Sequence, residues 1–122
     1  MSILAAILVV AATSLHITVW PQGQSQPGKK VYTLRCVPPG GTLPRRKAAC
    51  TSLMRFGRPF APTPSNTACT EIYGGPQEAF VTGRFRGKLV RAGFSRKDGC
   101  EIARWNRVGF LFPGTVSSAN GR

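Results

Sequence analysis

His16 is the only histidine in the 122-residue chain, and the acids are four: Glu71, Glu78, Asp98 and Glu101. A Ser-His-acid centre would need His16 as its base. Leu15-His16-Ile17-Thr18-Val19 alternates apolar and polar residues, the period of a half-buried strand, and this puts His16 on a wet face with Ser14 and Thr18. The acids form no spaced pair of the glycosidase or cation-binding kind. Gly83-Arg84-Phe85-Arg86-Gly87-Lys88 lacks the spacing of a phosphate loop and the Ser/Thr that follows one, so it reads as a basic hairpin. No enzyme chemistry and no cofactor follows from these residues.

The four cysteines are Cys36, Cys50, Cys69 and Cys100. They contain no C-x-x-C pair and have a single histidine to join them, which argues against any metal site. An even count in a small, basic chain with 14 glycines and 10 prolines predicts two disulfides and an oxidising compartment. Arithmetic alone permits three pairings.

Charge dominates the composition, with 17 Lys+Arg against 4 Asp+Glu and a formal net charge of +13. Such a balance attracts polyanions through weak, salt-sensitive contacts, but the bases are scattered and specify no partner. Phe85 between Arg84 and Arg86, and Trp105 between Arg104 and Arg107, interleave aromatic and cationic residues as single-strand binders do. In a strand, however, Phe85 points away from both arginines, which suits a core residue better than a specific nucleic-acid contact.

The positioning elements are short. Ile3 to Ala12 is an uninterrupted apolar run ending in small residues, so residues 1–12 read as an export signal and 13–122 as one domain. The run stops well short of the roughly 20 residues a membrane span needs. Strands are expected at Leu15 to Val19, Val31 to Val37, Ala79 to Phe85, Lys88 to Phe94 and Val108 to Phe112. Pro38-Pro39-Gly40-Gly41 ends the second. A helix is expected over Arg45 to Phe56, capped from Thr42, burying Ala48, Leu53 and Phe56. Lys97-Asp98-Gly99 reads as a turn. The fold class is α+β: about five strands and one clear helix, packed as a layer of helix on an antiparallel sheet.

What remains is the segment Cys69-Thr70-Glu71-Ile72-Tyr73-Gly74, extended, tied at a cysteine and closed by Gly74-Gly75-Pro76. A protease reads substrate as an extended strand with one side chain in a pocket. A loop ordered in advance loses little entropy on docking, and its cleaved ends remain in place to rejoin.

Here the chain resembles the Streptomyces subtilisin inhibitor family. The likeness runs from about Ser14 to Pro113 and is carried by YTLRCVPPGGT (Tyr32 to Thr42), KAAC (Lys47 to Cys50), TACTEIYGGP (Thr67 to Pro76), VTGRFRGK (Val81 to Lys88) and DGCE (Asp98 to Glu101). The resemblance implies disulfides Cys36–Cys50 and Cys69–Cys100, worth about 3 and about 3.7 kcal/mol by chain entropy. It implies a five-stranded antiparallel sheet with one main helix and a short second helix on one face, a homodimer formed through that sheet, and a secreted inhibitor of extracellular serine proteases. The alternative reading is a basic secreted module of the same fold that binds polyanions and lacks inhibitory activity. The bond offered would be Glu71–Ile72, with Ala68, Cys69 and Thr70 before it and Tyr73 and Gly74 after it, supported by Asp98 and Cys100. Two residues depart from the pattern. Glu71 stands where members commonly carry Lys, Arg or Met, which directs the chain toward broad-pocket subtilisins or glutamate-accepting enzymes. Asp98 stands where an Asn often supports the loop, and an ionised carboxylate only accepts hydrogen bonds.

Overall fold

The computed structural model describes residues 12–115. The expected export segment lies outside them except for Ala12, and no helix among the described residues is long and apolar enough to cross a membrane.

Alternation builds the sheet. In β1 (Thr13–Trp20) the side chains of Leu15, Ile17 and Val19 are buried while Ser14 and His16 are exposed. The same period places Leu34 and Cys36 of β2 (Lys30–Cys36) inward. It does the same for Ala79, Val81 and Phe85 of β4 (Glu78–Phe85), and for Val90, Ala92 and Phe94 of β5 (Lys88–Ser95). A two-residue β3 (Gly40–Gly41) completes a five-stranded antiparallel sheet of order β3-β2-β1-β4-β5. β4 and β5 join through Arg86 (φ 51°) and Gly87 (φ 82°), the two left-handed residues a tight hairpin turn needs. On the outer face His16 lies opposite Thr33 on one side and Thr82 on the other, with no acid beside it.

The inner face is covered by α1 (Arg46–Leu53), α2 (Gly99–Val108) and a 3-10 turn (Gly109–Leu111). Phe112 is the largest fully buried side chain, with ring centroids 4.6 Å from Trp105 and 5.3 Å from Phe94. Phe85 is buried while Arg84 is exposed, and Trp105 is 2% exposed, so neither aromatic offers a face for base stacking.

Several expectations need correction. Val108 to Phe112 is not a strand: it ends α2 and forms the 3-10 turn, so the fifth strand is Gly40–Gly41. A short apolar run carries no period of its own, and helix and strand compete for it. α2, read only as a turn at Lys97-Asp98-Gly99, is the longer helix. α1 begins at Arg46 and buries Ala49, Cys50 and Leu53, leaving Ala48 exposed and Phe56 beyond its end. Thr42 caps no helix: its Oγ1 accepts from the Thr33 amide at 2.9 Å, and its amide donates to the Thr33 carbonyl at 3.0 Å, extending the β2–β3 pairing. β2 ends at Cys36, one residue earlier than expected.

Both disulfides form as expected. Cys36–Cys50 fastens α1 to the end of β2, and Cys69–Cys100 ties the loop before β4 to the first turn of α2.

Candidate functional site

The Thr67 to Pro76 segment has no regular secondary structure, and its order comes from what holds its two ends. On the amino side Cys69 is bonded to Cys100, and the Thr70 carbonyl accepts from the Gly99 amide at 2.9 Å. A glycine suits this position, because an added Cβ would overlap Thr70 Oγ1 and force the Thr70 side chain to move. The carboxyl side is held at Gly74. Its amide donates to the Arg96 carbonyl at 2.7 Å, and its carbonyl accepts from Arg96 Nε at 3.1 Å. A Cβ on Gly74 would lie 2.8 Å from Ile102 Cδ1, so the backbone rests directly on α2.

Arg96 is itself fixed. Its Nη1 donates to Asn106 Oδ1 at 2.9 Å, and its guanidinium carbon lies 6.0 Å from the centre of the Trp105 ring. Partial burial lowers its pKa from the usual arginine value, which leaves the group charged at neutral pH. The clamp is therefore charge-assisted, the stronger kind of hydrogen bond.

Between these holds stand Glu71, Ile72 and Tyr73. Ile72 is 59% exposed and Tyr73 69% exposed, and Glu71 is exposed as well. No hydrogen bond among the described residues engages the Glu71 side chain. Three consecutive exposed side chains thus stand on a backbone that is fixed at both ends. Ala68 is also exposed, upstream of the disulfide.

Asp98 makes no hydrogen bond to residues 68–74 among those described. Its Oδ1 accepts from the Glu101 amide at 2.9 Å, capping α2. Asp98 is thus linked to the loop only through the helix that carries Gly99, Cys100 and Ile102. That helix is locked by Arg104, which is 8% exposed and donates to the carbonyls of Ala61 and Gly93, each at 3.0 Å. The same guanidinium pairs with Glu101 Oε1 at 2.8 Å. Cys69, Cys100 and Asp98 converge in space, but both sulfurs are committed to the disulfide and offer no metal ligand.

The residues that hold the loop, Arg96, Gly99, Ile102 and Asn106, are thus largely ones that sequence reading passed over. One signal did point to them. Asp98-Gly99-Cys100-Glu101 has the D-x-x-E form of a helix start, which would have placed α2 and its contacts beneath the loop.

This is the architecture of a small disulfide-tied protein that presents an exposed, doubly anchored peptide segment. The chain belongs to the subtilisin inhibitor-like family, whose model matches residues 11–96. The members of that family are inhibitors of proteases, not enzymes. Among solved structures the chain is similar to Streptomyces caespitosus sermetstatin, determined in complex with Bacillus licheniformis subtilisin. The two are 23% identical, the match covers 80% of this chain and 96% of that one, and the TM-score is 0.49. No curated protein matches the chain.

Proposed function

We propose that this protein is a secreted, substrate-like inhibitor of subtilisin-like serine endopeptidases, with Glu71–Ile72 as the bond presented to the enzyme. The observation that carries the reading is the free triplet Glu71-Ile72-Tyr73 held between the Thr70–Gly99 and Gly74–Arg96 contacts. Glu71 enters the primary specificity pocket, and the carbonyl of the Glu71–Ile72 amide meets the catalytic serine. Main-chain pairing on both sides supplies binding that does not depend on the pocket. Because the flanks are fixed, cleavage does not disperse the new ends, and the acyl-enzyme is attacked by the retained amine as readily as by water.

The exposed outer face of the sheet, centred on the Thr33-His16-Thr82 row, is the surface on which a second copy of the chain packs in this reading. Titration of the purified, oxidised protein against subtilisin tests the proposal. Stoichiometric inhibition with a Kd in the nanomolar range or below, about −12 kcal/mol or better, is expected of a pre-organised interface of standard size. Ordinary digestion of the intact protein would overturn it.

A further inference from the structure

β5 is an edge strand: it pairs with β4 on one side, and no strand among the described residues lies on the other. In a two-residue hairpin the closing pair, Phe85 and Lys88, exchanges both backbone hydrogen bonds, and the pattern then alternates. Val90 and Ala92 therefore point their amides and carbonyls at β4. Leu89, Arg91 and Gly93 point theirs outward. The last of these agrees with an independent contact, since the Gly93 carbonyl accepts from buried Arg104 at 3.0 Å. No comparable contact among the described residues reaches the backbone of Leu89 or Arg91. A stretch of strand edge is left open.

A groove of about 430 Å³ runs beside that stretch. Its far wall is the loop from Gly57 to Pro62, and Phe60 and Phe85 meet on its floor edge-to-face at 5.8 Å. Arg58 and Lys88 stand at its rim, and no acid lines it. On the opposite face of β5, Arg91 lies over the Phe80 ring at 5.3 Å, next to Leu89, which is 77% exposed. The edge thus carries both cations and apolar surface on each face.

Cations on an edge strand also repel other edges and suppress aggregation. That role needs no groove and no apolar floor, and both are present here. We infer that the open edge of β5 takes an extended acidic peptide as an added strand. Its main chain pairs with Leu89 and Arg91, its apolar side chains enter the groove against half-buried Phe60, and its carboxylates, on alternate residues, face Arg91, with Lys88 and Arg58 adding peripheral positive charge at the groove's rim. Strand addition draws affinity from backbone hydrogen bonds and selectivity from alternate side chains, and this edge offers both. The site is distinct from the Glu71 loop, which lies beyond the other end of β5, and its test uses no protease.

The probe is a labelled peptide of alternating glutamate and valine, with the lysine–valine peptide as control. Binding of the acidic peptide is expected to slow amide exchange at Leu89 and Arg91, leaving the already paired Val90 and Ala92 unchanged. Leu89→Pro should abolish binding and still fold, because proline is tolerated where an edge N–H faces away from the sheet. Lys88→Gln with Arg91→Gln should weaken binding by about tenfold, two peripheral charges' worth, and keeps the inference testable if the proline variant does not fold. Three results would each overturn it: no binding, binding without protection at Leu89 and Arg91, or equal binding of heparin that Leu89→Pro does not affect. The last would assign the groove to plain polyanion attraction.

Discussion

Arg96 and Gly74 are joined twice, once through the backbone at 2.7 Å and once through the guanidinium at 3.1 Å, so one residue holds the downstream flank of the exposed triplet. Arg96→Ala removes the second bond and leaves the first. It should cost about 1.5–3 kcal/mol, the worth of a hydrogen bond to a charged group. The diagnostic readout is the ratio of inhibitor hydrolysis to inhibition: faster turnover at similar initial affinity marks a positioning residue. Arg96→Lys keeps the charge but not the planar fork, and should restore the behaviour only in part.

Gly99→Ala should push the loop outward, because its new Cβ would overlap Thr70 Oγ1. Weakened inhibition is expected, together with a lower thermal midpoint. Adding Thr70→Ala removes the obstructing hydroxyl, so the double variant should recover much of the loss. A double-mutant cycle measures this coupling, and strict additivity would show that Thr70 and Gly99 do not share the contact.

Removing the Cys69–Cys100 bond by paired alanine substitution should cost about 2–5 kcal/mol of stability. It should also convert the inhibitor into a substrate. Mass spectrometry after incubation with subtilisin should find cleavage at Glu71–Ile72 and separated fragments. The Cys36–Cys50 pair, remote from the loop, should affect stability far more than cleavage.

Glu71 should set the range of enzymes inhibited. An ionised carboxylate placed unpaired in an apolar pocket costs several kcal/mol, and beside a pocket aspartate it is repelled. Glu71→Lys should therefore create trypsin inhibition. Glu71→Met should strengthen binding to apolar-pocket enzymes by about 1–3 kcal/mol. Inhibition constants for these two variants and the parent against trypsin, chymotrypsin and subtilisin test this. Identical profiles for all of them would remove Glu71 from the pocket.

Asp98 should matter through its helix. Asp98→Ala should lower stability by about 1 kcal/mol through loss of the cap, while Asp98→Asn, also a good cap, should change it little. Thermal or denaturant unfolding distinguishes the two.

The long strands were legible because Leu15-Ile17-Val19 and their counterparts alternate cleanly, and one buried face fixes the register. The exposed triplet was legible for a related reason: a cysteine, then free side chains, then paired glycines. The support beneath it was not. Arg96 acts through contacts to a glycine carbonyl and an asparagine distant in sequence, which no local pattern encodes. Val108-Gly109-Phe110-Leu111-Phe112 was too uniformly apolar to declare its period. Read from Trp105, the spacing to Val108 and Phe112 is helical, and all three side chains are buried. Thr42 has the chemistry of a cap, and its hydroxyl was claimed by Thr33 across a strand pair instead.

The Cys69–Cys100 bond closes residues 69–100 into a covalent ring that contains the whole β4–β5 hairpin, and Glu71–Ile72 is one link of that ring. Hydrolysing one link of a ring opens it without making two molecules. The equilibrium between intact and opened forms is then unimolecular apart from water, independent of inhibitor concentration. Dilution, which drives ordinary proteolysis to completion, gives no such push here.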